Sequence, residues 1–210
     1  MRRAFYLFLI LLATCVLMAA QNTLTLSAVT TAGAPGSVLT VQVNYAGPVV
    51  AGLEWQLTPP TGSAITAAAG PAATAGQKSI TCRTTTSVLC ILTGINALTM
   101  SPGQVATYQV TLPLVLGSYT LSIPSTNLLG ADLLANKIAI SPGANLTVVV
   151  VPSRYDLNGD GKLDALDLAL ANAQILGISA CTTADFNADG VCDVRDAEML
   201  ILASLGMIPQ

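Results

Sequence analysis

The stretch DLNGDGKLDALD, Asp156 to Asp167, places four Asp and one Asn within twelve residues, and DFNADGVCDVRD, Asp185 to Asp196, repeats that order twenty-nine residues later. Four carboxylates so close together repel one another unless a cation lies among them. The spacing matches the calcium loop D-x-[DN]-x-[DN]-G-x5-acid. In the first copy Asp156, Asn158 and Asp160 supply side-chain oxygens, Lys162 a main-chain carbonyl, Asp164 a direct or water-mediated contact, and Asp167 the closing carboxylate. The second copy offers Asp185, Asn187, Asp189, Val191, Asp193 and Asp196 in the same roles. Calcium takes six to eight oxygens, and odd-numbered positions turn inward as such a loop wraps. Two calcium ions are therefore the expected cofactors. The competing reading is a pair of solvated Asp/Asn/Gly turns, which does not explain two copies in register.

Each loop runs into a helical pattern, Ala165 to Leu176 and Val194 to Leu205, and each pattern ends in Leu-Gly. Glycine just past a helix end accepts the left-handed backbone that terminates it. The repeat is thus loop, helix and cap. Two features depart from the EF-hand rule. Both loops close with Asp rather than Glu, and Val148 to Pro152, a strand followed by Pro, cannot form a helix ahead of the first loop.

The charge is partitioned accordingly. From Arg154 onward nine acidic residues stand against three basic ones, a net of −6, whereas residues 21 to 153 carry two acidic and three basic, a net of +1. Two regions with different tasks follow. No basic patch exists, which excludes nucleic acid as an expected partner.

Residues 21–151 read as β-structure. Leu39, Val41, Val43 and Tyr45 alternate, as do Leu53, Trp55 and Leu57, then Tyr108, Val110, Leu112 and Leu114, then Tyr119, Leu121 and Ile123. Asn145 to Val151 supplies a last strand, and Pro-Gly turns at Pro35, Pro102 and Pro142 punctuate the run. Many short alternating strands predict an antiparallel β-sandwich. Residues 152–155 form a linker, and residues 156–210 a small all-α domain built on the two loops.

At the N-terminus, Arg2 and Arg3, apolar Ala4 to Met18 and a small-residue site before Gln21 read as a signal peptide over residues 1–20. An uncleaved anchor and a lipoprotein signal at Cys15 are the alternatives. About seventeen apolar residues is short for a membrane span, and Thr14 stands where a lipoprotein signal wants Gly or Ala. An exported product, secreted or held at the cell surface and free of the membrane after cleavage, is expected. Export makes disulfides the natural state of Cys82, Cys90, Cys181 and Cys192. Of the three possible pairings, Cys82–Cys90 with Cys181–Cys192 is the most local. A zinc site competes poorly, because the chain has no His and no C-x-x-C.

The duplicated loop–helix pattern over about 153–206 resembles the type I dockerin module, whose two repeats each close with Asp. The resemblance implies a calcium-dependent docking module whose partner is a cohesin-type domain, on another protein or in this chain's own sandwich. It also implies that loop positions 10 and 11 help select the partner; here these are Ala165-Leu166 and Val194-Arg195, unlike the Ser/Thr-rich pairs common in cellulosomal dockerins. Residues 22–151 are similar to cohesins and related carbohydrate-binding sandwiches, through Leu24 to Thr58 with its Pro35-Gly36 turn, V-x-V strand and Gly-led alternating strand. The implied setting is a polysaccharide-degrading or cell-surface assembly.

Polysaccharide binding by the sandwich is the alternative function. It needs exposed aromatic platforms, but Trp55, Tyr45, Tyr108 and Tyr119 fall on apolar faces. A hydrolase is a third class. Outside the loops only Glu54 and Asp132 could serve as carboxylates, and without His no Ser-His-Asp triad is available. No catalytic residues are expected.

Overall fold

The computed structural model describes residues 21–84 and 86–208. Residues 1–20, read above as a signal peptide, and Cys15 among them lie outside the described residues. Alternating burial builds the first layer from β1 (Thr23–Ala28), β3 (Val38–Ala46), β5 (Ala64–Ala69), β8 (Gly103–Thr111) and the short β12 (Ser141–Pro142), in the order β12-β1-β3-β8-β5. In β3 every second residue, Leu39, Val41, Val43 and Tyr45, is buried. The second layer runs β11-β10-β4-β7-β6, from β4 (Gly52–Leu57), β6 (Ser79–Thr84), β7 (Val88–Thr93), β10 (Leu129–Ala131) and β11 (Lys137–Ala139). A third sheet, β2-β13-β9, joins β2 (Ala32–Gly33), β9 (Gly117–Leu121) and β13 (Leu146–Val150). The Thr58–Ser122 bridge ties the end of β4 to the end of β9 and makes this sheet an extension of the second layer.

One apolar cluster fills the space between the layers, with Trp55, Leu57, Leu92, Tyr108 and Leu121 fully enclosed. Burial removes the polar tips of Trp55 and Tyr108 from water, so they bond to each other: Trp55 Nε1 donates to Tyr108 Oη at 2.8 Å. The Tyr108 phenol is pushed well above its usual range, chiefly by desolvation. Cys82 and Cys90 face each other across the β6–β7 ladder and are disulfide-bonded.

The structure differs from the sequence reading in four places. The sandwich is not wholly antiparallel, since β12 runs parallel to β1 and β2 parallel to β13. The alternation read through Leu114 stops earlier: β8 ends at Thr111, and Leu114 is 76% exposed. Pro113 has no N–H to continue the ladder, and beyond it Leu114, Val115 and Leu116 are exposed. Tyr119 is only half-buried. A short helix, α1 (Pro71–Ala75), interrupts the strands, with Pro at its start and Ala73 buried.

Beyond the sandwich, α2 (Ala165–Ile175) and α3 (Val194–Ser204) pack on each other. Their core comprises Tyr155, Ala171, Ala184, Phe186, Cys192, Leu200 and Ala203. The twenty-nine-residue repeat explains its shape. Tyr155 occupies the place of Ala184, and Leu157 that of Phe186, so a large residue in one copy corresponds to a small or aliphatic one in the other. The Tyr155 and Phe186 rings lie 4.8 Å apart at 52°.

Candidate metal centres and docking face

Each loop is shaped by its own carboxylates. In loop one, Asp156 Oδ1 accepts from Gly159 N and Oδ2 from Gly161 N, both at 2.8 Å. Asn158 Oδ1 accepts from Asp160 N and Asp160 Oδ1 from Lys162 N, both at 2.9 Å. Asp167, fully buried, accepts three backbone N–H groups, from Leu157, Asn158 and Asp164. Loop two repeats these bonds: Asp185 with Gly190 N, Asn187 with Asp189 N, Asp189 with Val191 N, and buried Asp196 with Phe186, Asn187 and Asp193 N. The sixth residue has φ of 81° at Gly161 and 89° at Gly190, a backbone that a side chain would strain.

The ninth and twelfth positions serve the helices as well. Asp164 and Asp193 are N-caps, and Asp167 and Asp196 return a bond to the cap backbone, so each helix begins with a reciprocal capping box. The last turn of each loop and the first turn of each helix are therefore one unit. Leu176 and Leu205 are the C-caps, and Gly177 and Gly206 follow with φ of 70° and 68°.

The donors at these positions are all oxygens: carboxylates, Asn amides and the main-chain carbonyls of Lys162 and Val191. That set suits a hard divalent cation such as calcium and not zinc. Among the described residues no three Asp, Glu or Cys side chains draw together tightly enough to mark an ion position by themselves. The fit rests on donor chemistry and loop order. Bound calcium would supply the charge that lets four carboxylates share one turn.

The loops are not equivalent. Arg195 turns back onto loop two, with Nη2 2.8 Å from Asp193 Oδ2 and Nη1 3.6 Å from Asp189 Oδ2. The hydrogen bond from Arg195 holds the Asp193 carboxyl below its usual range. At the matching place in loop one, Leu166 is exposed. Ala165, Leu166, Val194 and Arg195 all sit at the surface at the helix N-termini, and Leu170 extends the apolar face of α2.

One feature of the tail, the role of Gln174, lies outside the sequence expectations, whereas the Cys181–Cys192 bridge is among them. Gln174 Oε1 accepts from Thr182, Thr183 and Ala184 N–H and so fixes the approach to loop two. Cys181 is bonded to Cys192, the eighth residue of that loop. A Gln in a helix carries no sequence signal for such a role.

Residues 154–203 match the model of the dockerin type I domain. The sandwich resembles solved cohesins. A non-cellulosomal cohesin from Archaeoglobus fulgidus is 17% identical and covers 63% of this chain and 92% of its own, with a TM-score of 0.50. The sixth cohesin of Acetivibrio cellulolyticus scaffoldin B, solved with a Cel5 dockerin mutant, is 16% identical and covers 62% and 99%, at 0.51. A chain of the Coh-OlpC-Doc435 complex from Clostridium thermocellum, a type I cohesin–dockerin complex, is 8% identical and covers 64% and 97%, at 0.53. No curated protein matches the sequence. Identities this low show the fold alone.

The described chain is thus built of two modules. It carries a dockerin type I domain at residues 154–203 behind a cohesin-like β-sandwich. Dockerin type I domains bind calcium and mediate protein–protein contact; neither they nor cohesins are catalytic modules. No helix among the described residues is long and apolar enough to cross a membrane.

Proposed function

We propose that the protein is an exported, non-catalytic adaptor. Its tail, residues 156–210, takes two calcium ions through the twelve loop positions named above and docks on a cohesin-type domain. The single observation that carries this reading is the duplicated loop–capping-box–helix unit inside the dockerin match. The contact is assigned to the helix N-terminal pairs Ala165-Leu166 and Val194-Arg195, with the apolar Leu166 side dominant. The sandwich, residues 21–151, serves as scaffold or as receptor. Export rests on the signal-like N-terminus, and a polysaccharide-degrading or cell-surface assembly is the setting that the dockerin class suggests.

Sugar binding by the sandwich has less support. Among the described residues Tyr45, Trp55, Tyr108, Tyr155 and Phe186 are all buried, which leaves half-buried Tyr119 as the one candidate stacking ring. A contact with the chain's own sandwich has an observation in its favour. Pro35 and Leu114 of the sandwich line one hollow with Asp156, Gly161, Lys162 and Ser204.

Capture from the secreted proteins of the source cells, with calcium and with chelator, tests the adaptor reading. Retention of a cohesin-bearing protein in calcium alone is expected. Equal retention in chelator, or no capture together with a compact monomer by light scattering in both buffers, overturns it.

A further inference from the structure

The two loops share their acidic positions, yet their remaining carboxylate oxygens meet different neighbours. In loop two the backbone claims Asp189 Oδ1, through Val191 N at 3.0 Å, and Asp193 Oδ1, through Arg195 N at 2.8 Å. The Oδ2 atoms are left, and both face one guanidinium. Asp193 Oδ2 accepts from Arg195 Nη2 at 2.8 Å and Nε at 3.2 Å. Asp189 Oδ2 lies 3.6 Å from Nη1 and also accepts from Asn187 Nδ2 at 3.0 Å. In loop one Leu166 stands in place of Arg195, and Asp160 Oδ2 and Asp164 Oδ2 have no protein partner among the described residues. Lys162, in the same loop, makes no ion pair among the described residues; its long side chain is exposed.

We propose that Arg195 is a tethered counter-cation of loop two: calcium enters that loop in competition with its guanidinium, and loading the loop releases Arg195 from Asp189 and Asp193. The inference rests on the calcium reading of both loops and adds that they are unequal, with loop one the tighter site. The chemistry is simple competition. The oxygens that Arg195 engages belong to positions five and nine, whose charge would otherwise be offered to the ion, and a fixed positive group beside a divalent cation repels it. The Arg195 side chain is 67% exposed, so solvent screens the effect. Its two-pronged grip on Asp193 is the stronger kind of exposed pair, which sets the expected gap at roughly threefold to tenfold in affinity. Release would also make the arginine fork available at the docking face only when calcium is bound.

Calcium titration calorimetry on full-length single-loop variants reads this directly. Asp156→Ala leaves loop two as the working site, and Asp185→Ala leaves loop one. In the Asp156→Ala background, Arg195→Leu should tighten calcium binding by roughly threefold to tenfold; in the Asp185→Ala background, Leu166→Arg should weaken it by a similar factor. The Arg195 side-chain Nε–H resonance should shift as loop two fills. Unchanged or weaker binding after Arg195→Leu overturns the proposal while leaving calcium binding intact. No calcium binding by the unaltered chain overturns the calcium reading, and the proposal with it.

Discussion

Asp164 donates its backbone N–H to Asp167 Oδ2 at 2.9 Å, and Asp193 makes the same bond to Asp196, also at 2.9 Å. The closing residue of each loop is thereby the anchor of the following helix. Asp167→Ala should orphan three backbone N–H groups and remove the capping box, at about 2–3 kcal/mol to the tail. Because those bonds need no metal, the loss should appear in chelator as well as in calcium. Thermal unfolding followed by helical circular dichroism in both buffers measures it.

Ala188 sits at φ 59° where the first loop has Gly159 at 73°. A left-handed alanine is strained by about 1–2 kcal/mol, partly offset because glycine loses more chain entropy on folding. Ala188→Gly should therefore stabilise the tail by up to about 1 kcal/mol, seen as a higher denaturant midpoint at unchanged slope.

Trp55 is the only tryptophan of the chain and bonds to Tyr108 inside the sandwich. Tyr108→Phe should leave the buried indole N–H without an acceptor, at about 1–3 kcal/mol to the sandwich. Trp55 emission follows that unfolding and, lying in the sandwich core, should not change when calcium is chelated.

The Cys82–Cys90 bridge closes a short loop across two paired strands. Replacing both cysteines with Ala should lower sandwich stability by about 2–3 kcal/mol in the loop-entropy picture, without altering the tail. Denaturant unfolding followed at Trp55 reports it.

Much of this architecture is legible in the sequence because it depends on local periods. The alternation in Leu39–Tyr45 and Leu53–Leu57 marks buried faces, and the Asp/Asn/Gly spacing fixes the loops and both helix starts. What is missed depends on tertiary pairing or on single side chains. Leu114 alternates correctly but follows Pro113, which ends the ladder. The parallel pairs β1–β12 and β2–β13 join segments far apart in sequence, and β2 and β12 have only two residues each, too short for any period to show. The helix α1 is a single turn led by Pro71. Arg195 reads as a charged contact for a partner, and only the folded loop brings its fork onto Asp189 and Asp193.

Native mass spectrometry of the full chain at about 1 mM free calcium, a range in which even weak extracellular sites fill, counts the ions directly. A mass gain of two calcium ions, absent after Asp156→Ala with Asp185→Ala, is expected; an unchanged mass, or a gain of two that survives both substitutions, contradicts a calcium-loaded docking tail.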